Sequence, residues 1–128
     1  MKVRLILTVG VFLFTIFGVF ASRVDTLNVM SRSMNKSVAN LVILPDSYPI
    51  QKKRFPVLYL LHGAGGDHTD WATKVSKIKD YADLYNMIIV CPDGGKTSWY
   101  FDSPIEKDMS YETYVSKELI GAIDAKYN

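Results

Sequence analysis

Phe55-Pro56-Val57-Leu58-Tyr59-Leu60-Leu61-His62-Gly63-Ala64-Gly65-Gly66 decides the fold: seven largely apolar residues run without a break into a glycine-rich turn. A strand with one face in water alternates apolar and polar side chains, whereas a continuous apolar run implies burial on both faces. The pattern predicts a central strand of an α/β sheet over 55–61. After a polar turn, the stretch from about Asp70 to Asn86 is compatible with a helix. Met87-Ile88-Ile89-Val90-Cys91 then reads as a second buried strand, stopped by Pro92-Asp93-Gly94-Gly95. Two buried strands joined through a helix predict a parallel pair.

Upstream, Asp25 to Met30 alternates and Val38 to Leu44 is apolar, closed by Pro45-Asp46-Ser47. The polar connection between them predicts an antiparallel hairpin at a sheet edge. Gln51-Lys52-Lys53-Arg54 reads as a solvated basic loop. Downstream, a long loop reaches Met109. Ser110 reads as an N-cap with Glu112 in the first turn, and Val115, Leu119, Ala122 and Ile123 fall on one helical face. The fold expected is therefore α/β, an antiparallel hairpin followed by βαβα.

The chain has 128 residues, 48% of them hydrophobic and 22% charged, which suits one ordinary globular domain. Residues 1–21 read as an export signal: Lys2 and Arg4 lead, 5–21 carries no charge, and Val19-Phe20-Ala21 offers small residues at −3 and −1 of a cleavage site. That predicts a secreted or periplasmic protein; the alternative is a membrane anchor over residues 5–21, the only membrane contact expected. Without the leader, 13 Lys and Arg balance 13 Asp and Glu, so no basic face invites nucleic acid. The single cysteine, Cys91, forms no internal disulfide, and nothing calls for a metal or another cofactor.

Ligands bind beyond the carboxyl ends of the strands of an open α/β sheet, and both loops on that side are rich in glycine. His62-Gly63-Ala64-Gly65-Gly66 is not a phosphate loop, because no Lys-Ser/Thr follows it. Either it is a structural βα turn or its backbone N–H groups form an oxyanion hole for acyl transfer. Trp99-Tyr100-Phe101, in the second loop, either cap the end of the sheet or wall a pocket for a sugar or aromatic acyl group. Cys91 reads as an inert core thiol, His68 as solvent-facing, and Asp93 and Asp102 as turn caps.

Leu60-Leu61-His62-Gly63-Ala64-Gly65-Gly66 with Asp70-Trp71 resembles the oxyanion segment of the esterase D group of α/β-hydrolases. That group includes S-formylglutathione hydrolases, feruloyl and acetylxylan esterases, tributyrin-type esterases and mycolyl transferases. Val90-Cys91-Pro92-Asp93-Gly94-Gly95 and Ser98-Trp99-Tyr100-Phe101-Asp102-Ser103-Pro104 are similar to its next strand and loop. Tyr111-Glu112-Thr113-Tyr114-Val115 and Lys117-Glu118-Leu119-Ile120 are similar to the helix before its nucleophile strand. The resemblance implies an exported carboxylic-ester hydrolase working by serine acylation on a small-molecule or carbohydrate ester. It implies the Ala64 N–H as oxyanion donor, with His62, Gly63, Trp99 and Tyr100 at the substrate.

The family nucleophile stands in Gly-x-Ser-x-Gly, and that pentapeptide does not occur in this chain. Residues 22–128 are thus expected to be the front part of an esterase domain, interrupted before the nucleophile elbow. A substitute triad of Ser98, His62 and Asp93 is rejected, because a loop serine lacks the strained elbow. By itself the chain is expected to be inactive and to self-associate through an exposed sheet edge. The competing readings are a non-catalytic fragment or carbohydrate-binding module and, less favoured, an acyltransferase.

Overall fold

A computed structural model describes residues 23–48 and 50–127; the signal segment 1–21 and the anchor alternative over 5–21 lie outside the described residues. Strands β1 (Arg23–Ser31) and β2 (Lys36–Leu44) form the expected antiparallel hairpin, with Ser31 opposite Lys36 and Arg23 opposite Leu44. Asn35 closes the turn at φ 52°, a left-handed conformation that asparagine tolerates. β4 (Ile88–Pro92) lies antiparallel to β2 and parallel to β3 (Val57–Tyr59), giving the sheet order β1-β2-β4-β3.

β2 and β4 are the central strands, and their alternate residues feed two cores. Val38, Val42, Leu44, Ile88 and Val90 face the C-terminal helical segment, whose Tyr111, Tyr114, Leu119, Ile123 and Tyr127 are buried with them. Leu41, Ile43, Ile89 and Cys91 face the other side, where Ile78 and Ala82 close the second core. Helices on both faces of a mixed sheet make this an α/β fold, as expected.

The strand predicted over 55–61 is shorter than expected, and it forms the exposed edge expected of a chain that stops before the family's next strand, not the doubly buried strand its apolar run suggests. Only Val57–Tyr59 pairs as a strand, although the Leu60 N–H still reaches the Val90 carbonyl at 2.8 Å. No described strand lies on its other side, so β3 is an edge and Leu58 and Leu61 stay 41% and 40% exposed. The helix expected over 70–86 is broken into α1 (Asp70–Lys74) and α2 (Ile78–Leu84), with Val75 extended at φ −115°, ψ 91°. The two pieces are tied to different parts of the sheet. Trp71 donates its indole N–H to the Leu61 carbonyl (3.0 Å) beyond β3, whereas Ile78 and Ala82 pack on β2 and β4. Val75 and Ser76, weak helix formers, yield at the joint. Asn86, at φ 50°, ends the second piece in the left-handed turn typical of a helix C-terminus.

The last helical segment combines α3 (Tyr111–Thr113), a π-helical stretch (Tyr114–Leu119) and α4 (Ile120–Tyr127). Its fully buried Tyr114 and Leu119 stand five residues apart, and i→i+5 winding returns both to the sheet. Ser110 does not cap it by its side chain. Asp102 does so instead, accepting the Thr113 N–H (3.0 Å) and hydroxyl (2.6 Å), bonds that hold its carboxyl below the usual range. Glu118 clamps the hairpin turn: it accepts the Ser31 hydroxyl (2.6 Å), the Ser33 N–H (2.9 Å) and the Arg32 N–H (3.1 Å).

Candidate active site

His62 follows the end of β3, and its backbone and ring organise the glycine turn. A carbonyl oxygen can only accept, so the 2.8 Å contact between Nδ1 and the Gly63 carbonyl puts a proton on Nδ1. The Gly94 N–H donates to Nε2 at 2.9 Å, so Nε2 carries none. Both bonds assign the same neutral tautomer and occupy both ring nitrogens. His62 is buried, with the Tyr100 ring 5.5 Å away, and its own N–H donates to the Tyr100 hydroxyl at 3.0 Å. This geometry makes His62 a turn anchor and leaves no lone pair free for a base.

The turn itself is closed by the Gly66 N–H on the Gly63 carbonyl (3.1 Å) and fastened to the second loop by the Gly65 N–H on the Lys96 carbonyl (2.9 Å). Gly65 sits at φ +76°, which glycine adopts without penalty. Among the described residues, nothing accepts the Ala64 N–H. Ala64, His62 and Gly63 border a pocket of about 240 Å³, closed on the other side by Gly95 to Tyr100. The neighbouring Gly63 N–H is likewise without an acceptor among the described residues, and free backbone donors beside a pocket are what a developing oxyanion requires.

The three aromatics do not all pack as the sequence suggests. Trp99 and Tyr100 both take left-handed backbones (φ 53° and 56°), each costing about 1–3 kcal/mol that the surrounding bonds must hold. Successive residues in so tight a turn point apart. Tyr100 turns inward to His62, whereas Trp99 stays 79% exposed and Phe101 is exposed as well. Burial pushes the Tyr100 hydroxyl up to about 12, so it remains a phenol.

Ser98 is buried, donates its hydroxyl to the Gly94 carbonyl and accepts the Tyr100 N–H at 3.0 Å. Asp93 accepts the Gly95 N–H (2.8 Å) in an Asx turn, and its other oxygen lies 3.9 Å from His68 Nδ1. Ser98, His62 and Asp93 are thus neighbours whose bonds build turns. His68 is half-buried against Asp93 rather than solvent-facing, because the glycine turn folds it back onto the second loop. The Cys91 thiol is pushed up to about 11 by burial, a core thiol and not a nucleophile. Sequence reasoning missed the structural roles of Ser98 and Tyr100, since nothing in a Ser-x-Tyr triplet announces a left-handed turn.

A family model described as "Putative esterase" matches residues 31–128. An esterase of Mycobacterium tuberculosis is 35% identical over 89 residues, covering 67% of this chain and 19% of its own length. An acetyl esterase of Caldicellulosiruptor saccharolyticus is 31% identical over 101 residues, 73% of this chain and 37% of its own. Among solved structures, a ferulic acid esterase superposes with a TM-score of 0.70 at 35% identity, over 84% of this chain and 44% of its own. An S-formylglutathione hydrolase from Agrobacterium tumefaciens gives 0.72 at 19% identity, over 84% and 45%, a likeness of fold. The chain spans less than half the length of each of these relatives. The family match, the α/β sheet and the glycine turn after β3 agree, and the chain belongs to this esterase family of α/β-hydrolases.

Proposed function

We propose that residues 22–128 form the oxyanion-bearing part of an exported carboxylic-ester hydrolase that works by serine acylation. The observation that carries this reading is that the Ala64 N–H on the rim of the pocket is uncommitted, as is the neighbouring Gly63 N–H, between the bonded amides of His62 and Gly65. In the reaction, a serine oxygen adds to the ester carbonyl and the alkoxide leaves; water then releases the acid. The carbonyl oxygen becomes negative in both steps, and the Ala64 N–H donates to it. Trp99 and Tyr100 border the substrate, a small-molecule or carbohydrate ester, and no metal or cofactor is needed. The nucleophile and its partners are not assembled from this chain's Ser98, His62 and Asp93, whose bonds are already taken. Export rests on the charge pattern of residues 1–21.

The test is a pair of substitutions in an esterase-active polypeptide containing this segment. Ala64→Ser keeps the N–H and retains activity within a few-fold. Ala64→Pro deletes the N–H and lowers kcat about 10²–10³-fold, the usual cost of one oxyanion donor. Circular dichroism must show that the proline variant is folded; normal turnover in a folded variant refutes the assignment. One observation favours a second reading, a carbohydrate-binding module: Trp99 is 79% exposed at the pocket mouth and free to stack on a sugar ring. Saturable binding of xylan oligosaccharides, abolished by Trp99→Ala in a chain without esterase activity, would select it.

A further inference from the structure

We propose that Ser98 and Tyr100 are positioning residues for the Ala64 amide, acting through His62 in a closed circuit of four hydrogen bonds. The inference rests on the oxyanion reading of Ala64 and adds the residues that hold that amide in place. The Gly94 N–H donates to His62 Nε2 (2.9 Å), and the His62 N–H donates to the Tyr100 hydroxyl (3.0 Å). The Tyr100 N–H donates to Ser98 Oγ (3.0 Å), and the Ser98 hydroxyl returns to the Gly94 carbonyl. Each of the four residues donates once and accepts once, so none can leave without breaking two bonds.

This circuit explains features that are otherwise unconnected. The left-handed turn through Trp99 and Tyr100 carries the Tyr100 N–H back to Ser98 while its hydroxyl reaches His62. Residue 94 has to be glycine, because a Cβ there would lie 2.1 Å from the Tyr100 ring. The neutral, Nδ1-protonated form of His62 fits the circuit, since Nε2 must stay bare to accept from Gly94 while Nδ1, outside the circuit, donates to the Gly63 carbonyl. With His62 fixed by the circuit and Gly65 by the Lys96 carbonyl, the Gly63-Ala64 segment is held at both ends, and the Ala64 N–H has no partner of its own. Networks of this kind polarise and stiffen their members together.

The experiment uses the full chain with 15N-labelled histidine, together with hydrogen exchange read by mass spectrometry. Wild type should show one protonated Nδ1 and one bare Nε2 for His62. Tyr100→Phe keeps the ring but removes the acceptor, and Ser98→Ala removes the hydroxyl. Both should raise exchange in the peptide spanning His62 to Gly65 about tenfold, the worth of one such bond. Both should also move the His62 ring nitrogens toward a mixture of tautomers, while the Ile89 and Val90 amides keep their protection. Unchanged exchange over 62–65 in both variants overturns the circuit. If a variant loses protection throughout, the wild-type ring decides: an Nε2-protonated His62 overturns the proposal, and an Nδ1-protonated one supports it. Such a failure leaves the role of Ala64 intact, because Ala64→Pro is judged by the turnover of a folded variant.

Discussion

At the scale of the residue, Asn40 is a polar group fully buried in the middle of β2. Its amide nitrogen shares two hydrogens among the Tyr114 hydroxyl oxygen (2.8 Å), the Val38 carbonyl (2.9 Å) and the Leu27 carbonyl (3.0 Å), and the Tyr114 hydroxyl donates to its Oδ1 (3.0 Å). That accounting leaves neither side-chain polar atom of Asn40 without a partner, which is why a polar residue is tolerated in a central strand. Tyr114→Phe keeps the ring but strands Oδ1 in the core. The expected loss is about 1–3 kcal/mol, the penalty for a buried acceptor without a donor, read as a lower denaturant midpoint with an unchanged slope. A midpoint equal to wild type would mean that water reaches Asn40. No sequence pattern announces this pair: Asn40 interrupts an apolar run, and its partner lies 74 positions away. His62 is the opposite case. Its place between an apolar strand and three glycines signals a turn anchor from the sequence alone, whereas its tautomer needs the partners that only folding supplies.

At the scale of the element, the local signals were sufficient where a single strand or turn sets the outcome. The hairpin of β1 and β2, the buried strand at Ile88 to Pro92 and the glycine turn follow from alternation, apolarity and breakers. The errors fall where distant parts compete. A straight helix over 70–86 fits the periodicity of Trp71, Val75, Ile78 and Ala82, yet anchorage to Leu61 at one end and to β2 at the other breaks it. Likewise Ser110 has the composition of a cap, but Asp102 reaches Thr113 across the loop first. Glu118 offers a test at this scale. Burial raises its carboxyl, but bonds from Ser31, Ser33 and Arg32 outweigh that and hold it below the free value of 4.5. A carboxyl depressed in the folded state contributes stability above its unfolded value, and that contribution is lost as pH falls through the folded one. Melting temperature should therefore drop between neutral pH and about pH 3, and Glu118→Gln should flatten part of that drop. An identical pH response in the variant would show that the hairpin clamp does not depend on charge.

At the scale of the whole molecule, the decisive feature is the open side of the sheet. The Ile88 N–H on the Pro56 carbonyl and the Leu60 N–H on the Val90 carbonyl show that even-numbered residues of this segment bond toward β4. The backbone groups of Val57 and Tyr59 therefore point to the open edge. Beside them runs an apolar groove of about 520 Å³, lined by Leu58, Trp71, Val75, Tyr81, Tyr85 and Met87 among others, with no charged residue in its wall. Leu61 and Leu84 add exposed apolar surface. Natural edges are shielded by charge, proline, brevity or a cover; β3 is short, but its apolar surroundings cancel that protection. For purified residues 22–128 two outcomes follow. Hydrolysis of p-nitrophenyl acetate should not exceed buffer, and turnover abolished by Ser98→Ala would reinstate the substitute triad. The protein should also assemble through this edge, with light scattering above monomer mass and a broad melt. Leu58→Lys places a charge in the groove beside the edge strand and should shift the population toward monomer, since a paired edge would have to bury it. Against a total stability of about 5–15 kcal/mol for an ordinary domain, an uncovered edge and groove are a large deficit. A monodisperse wild-type monomer with a sharp, cooperative transition would show that β3 and its groove are stable in water, and that the 22–128 segment is a self-contained module.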